Sequence, residues 1–214
     1  KDTVLTAARY RACASRAQRK PAIKSYLCRL SLCLCVFVSL CLTILSQTSP
    51  IIFLDASKQA GINFKHENGA SREKYLPETM SAGALIFDYD SDGWRDIFLL
   101  NGGSYVDRAA AAASRHRLYH NNRDGRFIDA TAPSGIVVTG FGMGACSADY
   151  DNDGLPDLYV TAVESNKLYR NNGSGAFADV TAKARVGGNG LWSSSCAFGD
   201  IDNDGDVDLY VTNY

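Results

Sequence analysis

Carboxylates crowd three short stretches of this chain: Asp88, Asp90, Asp92 and Asp96 in DYDSDGWRD, Asp149, Asp151, Asp153 and Asp157 in DYDNDGLPD, and Asp200, Asp202, Asp204, Asp206 and Asp208 in DIDNDGDVD. Crowding of this kind is unfavourable, since two unit charges about 4 Å apart repel by ~1 kcal/mol in bulk water and ~4 kcal/mol at an effective dielectric of 20. One hard divalent cation held among the oxygens turns the repulsion into affinity. The spacing matches the opening of a helix-loop-helix calcium loop, in which side chains at positions 1, 3 and 5 converge with a carbonyl at 7 and glycine at 6 makes the sharp turn. Here the glycines are Gly93, Gly154 and Gly205, and the carbonyls are those of Trp94, Leu155 and Asp206. The helix-loop-helix form closes with an acid at position 12, where this chain has Leu99, Val160 or Val211. The closing acid stands instead at position 9, as Asp96, Asp157 or Asp208. The expectation is a calcium-binding turn inside a β-hairpin, present about three times. Four carboxylates, a carbonyl and a water reach the ~6 to 8 oxygens that Ca²⁺ takes, whereas Mg²⁺ asks for a stricter octahedron. Zn²⁺ would want His or Cys, which the loops lack. A single copy could be a solvated acidic turn; three copies with glycine at the sixth position argue for metal.

Such loops need hairpins to hold them. The apolar runs LIF, IFLL and LYVT are short, rich in β-branched and aromatic residues, and punctuated by Gly, Asn and Asp, which favours strands. A second element also repeats, RLYHNNRDGRFIDATAPSGI against KLYRNNGSGAFADVTAKARV, with Leu118 and Leu168 fifty positions apart. A period near fifty is the mark of stacked or radial units. Asn121, Asn122 and Gly125, or Asn171, Asn172 and Gly175, tolerate positive φ and predict a tight turn between two strands. Phe127 and Phe177 are then free to pack against a neighbouring unit. The aspartate loops are 61 and then 51 positions apart, and the extra residues fall in SYVDRAAAAASRH, expected as a surface insertion with a short helix. FLDASKQAGI at 53–62 parallels FIDATAPSGI and marks the start of the repeats. The fold class is all-β.

The body is preceded by different material. Residues 1–29 carry eight Lys or Arg against Asp2 alone, which leaves 14 basic and 22 acidic residues beyond them and a charge of −8 on the body. Leu30 to Leu45 is a run of sixteen residues without a charge, followed by small polar ones. Residues 1–46 are therefore expected as a basic region plus a secretory signal, or an anchor if uncleaved, since sixteen is short of the ~20 residues that span a bilayer. The repeats at 47–214 are expected to be secreted, at the cell surface or periplasmic. Cys13, Cys28, Cys33, Cys35 and Cys41 belong to the leader. Cys146 and Cys196 are expected as small buried strand residues, although an oxidising compartment also allows a disulfide between units.

Other chemistry finds little support. The sequence contains no GxSxG elbow, no HExxH and no phosphate-cradling loop. Of His66, His116 and His120, the last two flank a repeated strand and are expected at the surface. Glu78 in YLPETM could act as an acid in a carbohydrate-active enzyme, although a lone Glu is far more often solvated or structural, and the obvious carboxylates for the Asp and Glu pair of glycoside hydrolysis are already claimed by metal. A body of charge −8 excludes nucleic acid as a partner.

The combination DYDNDG, LYVT, RLYHNN or KLYRNN with a following GxF, and FADVT resembles the FG-GAP or VCBS-type repeats of β-propellers. It is most similar to the branch shared by cartilage acidic protein and the bacterial ASPIC and UnbV group, whose entry blade YLPETMSAGALIFDYDSDGWRDIFLLNG resembles. The resemblance covers residues 52–214. It implies radial four-stranded blades related to those of integrin α heads, calcium in the hairpin loops, export, and adhesion or recognition of an extracellular protein or glycan. A carbohydrate-active enzyme or its calcium-dependent accessory module is the alternative. Trp94, Arg95 and Pro156 depart from the usual loop fillers, though a backbone carbonyl is all that position 7 must offer. Since a closed propeller takes ~4 to 8 blades and about three are present, a longer protein is expected.

Overall fold

The computed structural model describes residues 51–80, 83–104 and 116–214, within which Leu54–Tyr214 is the compact unit. The signal or anchor and almost all of the alanine-rich insertion fall outside the described residues. Among those described, no helix is long and apolar enough to cross a membrane.

The unit is built from antiparallel sheets in sequence order. The first holds β1 (Ala84–Phe87), β2 (Asp96–Leu99), β3 (Arg117–Asn121) and β4 (Phe127–Asp129). The second holds β5 (Gly142–Ala148), β6 (Asp157–Ala162), β7 (Lys167–Asn171) and β8 (Phe177–Asp179), and the third is the hairpin β9 (Ser193–Gly199) with β10 (Asp208–Asn213). This is the expected blade pattern, with two blades of four strands and a two-stranded third. The first strands β1, β5 and β9 lie beside one another in turn, as radial packing requires. Each aspartate loop connects the first and second strands of its sheet.

The core fills the space between successive sheets. Phe87, Phe98 and Leu118 of the first pack with Leu158, Val160, Tyr169 and Phe177 of the second. Burying each such side chain contributes roughly 1.5–3 kcal/mol. Every residue of β6 is buried, because β9 covers its other face, and this is why LYVT reads as an unbroken apolar run. Phe177 reaches across the sheets to Tyr89, with ring centroids 6.3 Å apart. Its repeat partner Phe127 is half-buried and donates its N–H to the Ala60 carbonyl at 2.7 Å.

The FADVT motif ends each blade in one way. Asp129 and Asp179 accept from the N–H groups of Thr131 and Thr181, opening the one-turn helices Thr131–Ser134 and Thr181–Ala184. The threonine hydroxyls in turn accept the N–H groups of Leu118 and Leu168, extending the ladder by one bond. FLDAS repeats this plan: Asp55 accepts from the Ser57 N–H at 3.0 Å and a turn follows over 57–61. A single turn is too short to carry a 3.6-residue period, so these helices were not expected.

Two expectations need correction. Cys146 and Cys196 are half-buried and form a disulfide between β5 and β9, with Cα atoms 5.9 Å apart and a sequence separation of 50. One repeat period brings equivalent first strands side by side, so the unit spacing itself makes the pair. In the LYxNN turns, positive φ falls on Arg123 and Gly125, or Gly173 and Gly175, and not on the asparagines. The first asparagine of each pair has another task, described below.

Candidate metal centre

Each aspartate loop folds on the same plan. The first aspartate accepts from the backbone N–H groups four and five residues on: Asp92 and Gly93 bond Asp88 at 3.0 and 2.8 Å, Asp153 and Gly154 bond Asp149 at 3.0 and 2.8 Å, and Asp204 and Gly205 bond Asp200 at 3.1 Å each. Such a tight return needs left-handed backbone, which Ser91, Asn152 and Asn203 supply at position 4 and Gly93, Gly154 and Gly205 at position 6. The ninth-position aspartate reaches back to the second residue: Asp96 accepts from the Tyr89 N–H at 3.0 Å, Asp157 from Tyr150 at 3.1 Å and Asp208 from Ile201 at 3.0 Å. Asp96 and Asp157 also take the N–H groups of Asn121 and Asn171, both at 2.8 Å. Each carboxylate oxygen retains a second lone pair for a cation.

The carboxylates converge as triads from positions 1, 3 and 9. Oxygens of Asp88, Asp90 and Asp96 lie within 4.8 Å of one another, as do those of Asp149, Asp151 and Asp157 and those of Asp200, Asp202 and Asp208. Three carboxylates per loop, all oxygen donors, suit a hard cation such as Ca²⁺. The fifth-position aspartates stand outside these triads. Asp92, Asp153 and Asp204 turn one oxygen to the N–H of Trp94, Leu155 and Asp206 at 2.8, 3.0 and 2.9 Å. Asp92 groups instead with Asp90 and His120. The Asp206 side chain accepts from the Asn152 side chain at 2.7 Å, joining the third loop to the second.

Several residues that position or neutralise the loops were not anticipated. Asn121 donates to the Arg95 carbonyl at 3.0 Å, and the buried Asn171 donates to Pro156 at 3.0 Å and across the sheets to Tyr89 at 2.7 Å. The first Asn of each NN pair therefore braces an aspartate loop, and its recurrence after LY was the available signal. Arg123 bonds Asp92 at 2.7 Å, and Arg170 bonds Asp151 and, at 2.8 Å, Asp153. Arg123 holds the Asp92 carboxyl below its usual range. His120 does not face solvent alone: its Nδ1 lies 3.2 Å from Asp90 and 3.4 Å from Asp96. His116 is 1 % exposed, accepts the Asn101 N–H at 2.9 Å, and is pushed down to about 4 by burial, so it stays neutral. The isolated acid Glu78 is also buried, with its oxygens engaged by the Ser71 N–H at 2.9 Å and hydroxyl at 2.5 Å.

Burial raises Asp96, and it raises Asp157 to about 6, reinforced by Asp151 and Asp153 and opposed by the N–H groups of Asn171 and Tyr150. A carboxyl raised on folding favours its protonated form. Metal-free protein therefore takes up a proton here as pH falls through about 6 and gains stability from this group toward about pH 4. A cation needs the ionised form, so calcium affinity at the second loop should weaken about tenfold per pH unit below that point. Calorimetric calcium titrations at pH 7.5 and pH 5 check the slope.

The family described as FG-GAP-like repeat matches residues 88–160 and again 149–211, more than half of the chain, each match beginning at the first aspartate of a loop. No curated protein matches the chain.

Proposed function

The chain belongs to the FG-GAP-like repeat family, and from that premise we propose that it is an exported, calcium-binding β-propeller protein for adhesion or for recognition of an extracellular protein or glycan. The observation that carries the calcium reading is the threefold recurrence of one carboxylate triad on one hydrogen-bond plan. Calcium is structural in this reading: it neutralises the loops that bind consecutive strands, and the ligand meets the surface so stiffened. The acidic body and basic, apolar leader support export to the cell surface, the medium or a periplasm, with the membrane reached only through that leader. A place in the cartilage acidic protein and ASPIC/UnbV branch rests on the YLPETM entry segment.

The protein acts by binding and not by catalysis, and the engagement of Glu78 with Ser71 favours this over a carbohydrate-active enzyme. The test is a panel of immobilised extracellular proteins and polysaccharides in calcium and in chelator. Saturable, calcium-dependent capture without turnover is the expected result. Release of product from a polysaccharide, lost in Glu78→Gln, would favour the enzyme.

A further inference from the structure

The three loops differ in what faces them from the neighbouring strand. His120 on β3 and Arg170 on β7 are one repeat period apart and hold the same register, opposite Ile128 and Ala178. In the second sheet this position carries a guanidinium bonded to Asp151 and Asp153; it has no lone pair and cannot ligate. In the first sheet it carries an imidazole. His120 Nδ1 and Asp90 Oδ1 are shielded from solvent and make no hydrogen bond, although their side chains are 27 % and 24 % exposed and Nδ1 stands in ion-pair range of Asp90 and Asp96. One ring nitrogen of His120 and carboxylate oxygens of Asp90 and Asp92 lie within 4.8 Å of one another. Its 3.2 Å separation from Asp90 is close to the ~3 Å between two donors on one ion with bonds of about 2.0–2.2 Å. The Tyr89 ring packs edge-on against the imidazole at 6.0 Å and fixes its plane.

We propose that the strand residue facing each loop sets which ion the loop takes, and that His120 makes the first loop a mixed nitrogen and oxygen site for a divalent transition metal. Imidazole favours such ions over Ca²⁺, which takes oxygen donors. The second loop, with Arg170 in that place, stays an all-oxygen site. This inference rests on reading the loops as metal sites.

The probe is Mn²⁺, which accepts carboxylate and imidazole and disfavours the thiols of the leader. Pulsed electron paramagnetic resonance on the full chain should show nitrogen modulation on bound Mn²⁺. The modulation should vanish in His120→Ala and in His120→Gln, which keeps the side-chain volume, and the tightest site should weaken by about ten- to a hundredfold. Arg170→His should add a second nitrogen-coordinated Mn²⁺. Mn²⁺ bound without nitrogen modulation, or modulation that survives in both His120 variants, would overturn the proposal and leave the loops as oxygen sites. Failure of both Mn²⁺ and Ca²⁺ to bind would overturn the metal reading as well.

Discussion

Asp157→Ala is expected to destabilise the protein by about 2–5 kcal/mol in calcium and to remove one calcium from the binding stoichiometry. Asp157 is fully buried and accepts two backbone N–H groups, from Tyr150 and Asn171. Alanine leaves both donors unpaired at about 1–3 kcal/mol each, and Asn171 also carries the link to Tyr89 in the preceding blade. Asp157→Asn removes the charge and keeps one of the two hydrogen bonds, because Tyr150 and Asn171 bond different carboxylate oxygens and the amide offers a single acceptor, its NH₂ facing the other donor. Since burial raises the Asp157 carboxyl to about 6, the ionised group is a burden on metal-free protein at pH 7.5. There Asp157→Asn should lose less stability than Asp157→Ala, and its deficit against wild type should widen in calcium, where the ionised carboxylate binds the cation. Chemical denaturation of the three proteins in chelator and in calcium reads both effects, and an Asp157→Asn deficit that is the same in both buffers would contradict them.

The second large effect belongs to the disulfide. Cys146 and Cys196 close a loop of separation 50, for which chain entropy gives about 4 kcal/mol, with removal of a native disulfide commonly costing ~2–5 kcal/mol. The double variant Cys146→Ala, Cys196→Ala should lose stability in that range. A reductant should lower the midpoint of wild type by a matching amount and leave the double variant unmoved. The bond joins β5 to β9, first strands of successive blades, so its loss should loosen the third hairpin first. Hydrogen exchange would place the largest loss of protection in β9 and β10.

What the sequence revealed and what it hid divide along sequence distance. The aspartate loops were legible because their plan is local: the first aspartate bonds residues four and five ahead, and the ninth bonds the second. Hairpins were legible for the same reason, and the fifty-residue period marked the repeating units, while the four strands of a blade came from the resemblance to FG-GAP repeats. At position 5 the sequence placed the aspartate but not its second task, since Asp92, Asp153 and Asp204 each give one oxygen to the N–H of position 7. Residues brought in by register were out of reach. His120 and Arg170 face the loops from a third strand, and Asn171 reaches a blade 82 residues away. His116 looked like a strand-flanking surface residue, yet it is buried beside Phe98 and accepts the Asn101 N–H. The cysteines gave their spacing but not their adjacency, which follows only once β5 and β9 are seen as neighbours in a radial array.

Five aspartates in the third loop, at positions 200, 202, 204, 206 and 208, have no salt-bridge partner among the described residues, while the first two loops carry Arg123 and Arg170. Relief of carboxylate repulsion by a bound cation is therefore the claim on which the account stands. It is tested most directly by thermal unfolding of the full chain at pH 7.5 in chelator and in millimolar calcium. A ligand at 100 times its Kd stabilises by about 2.7 kcal/mol per site, so the midpoint should rise by about 5 °C or more in calcium. Superimposable melting curves in the two buffers would contradict the account.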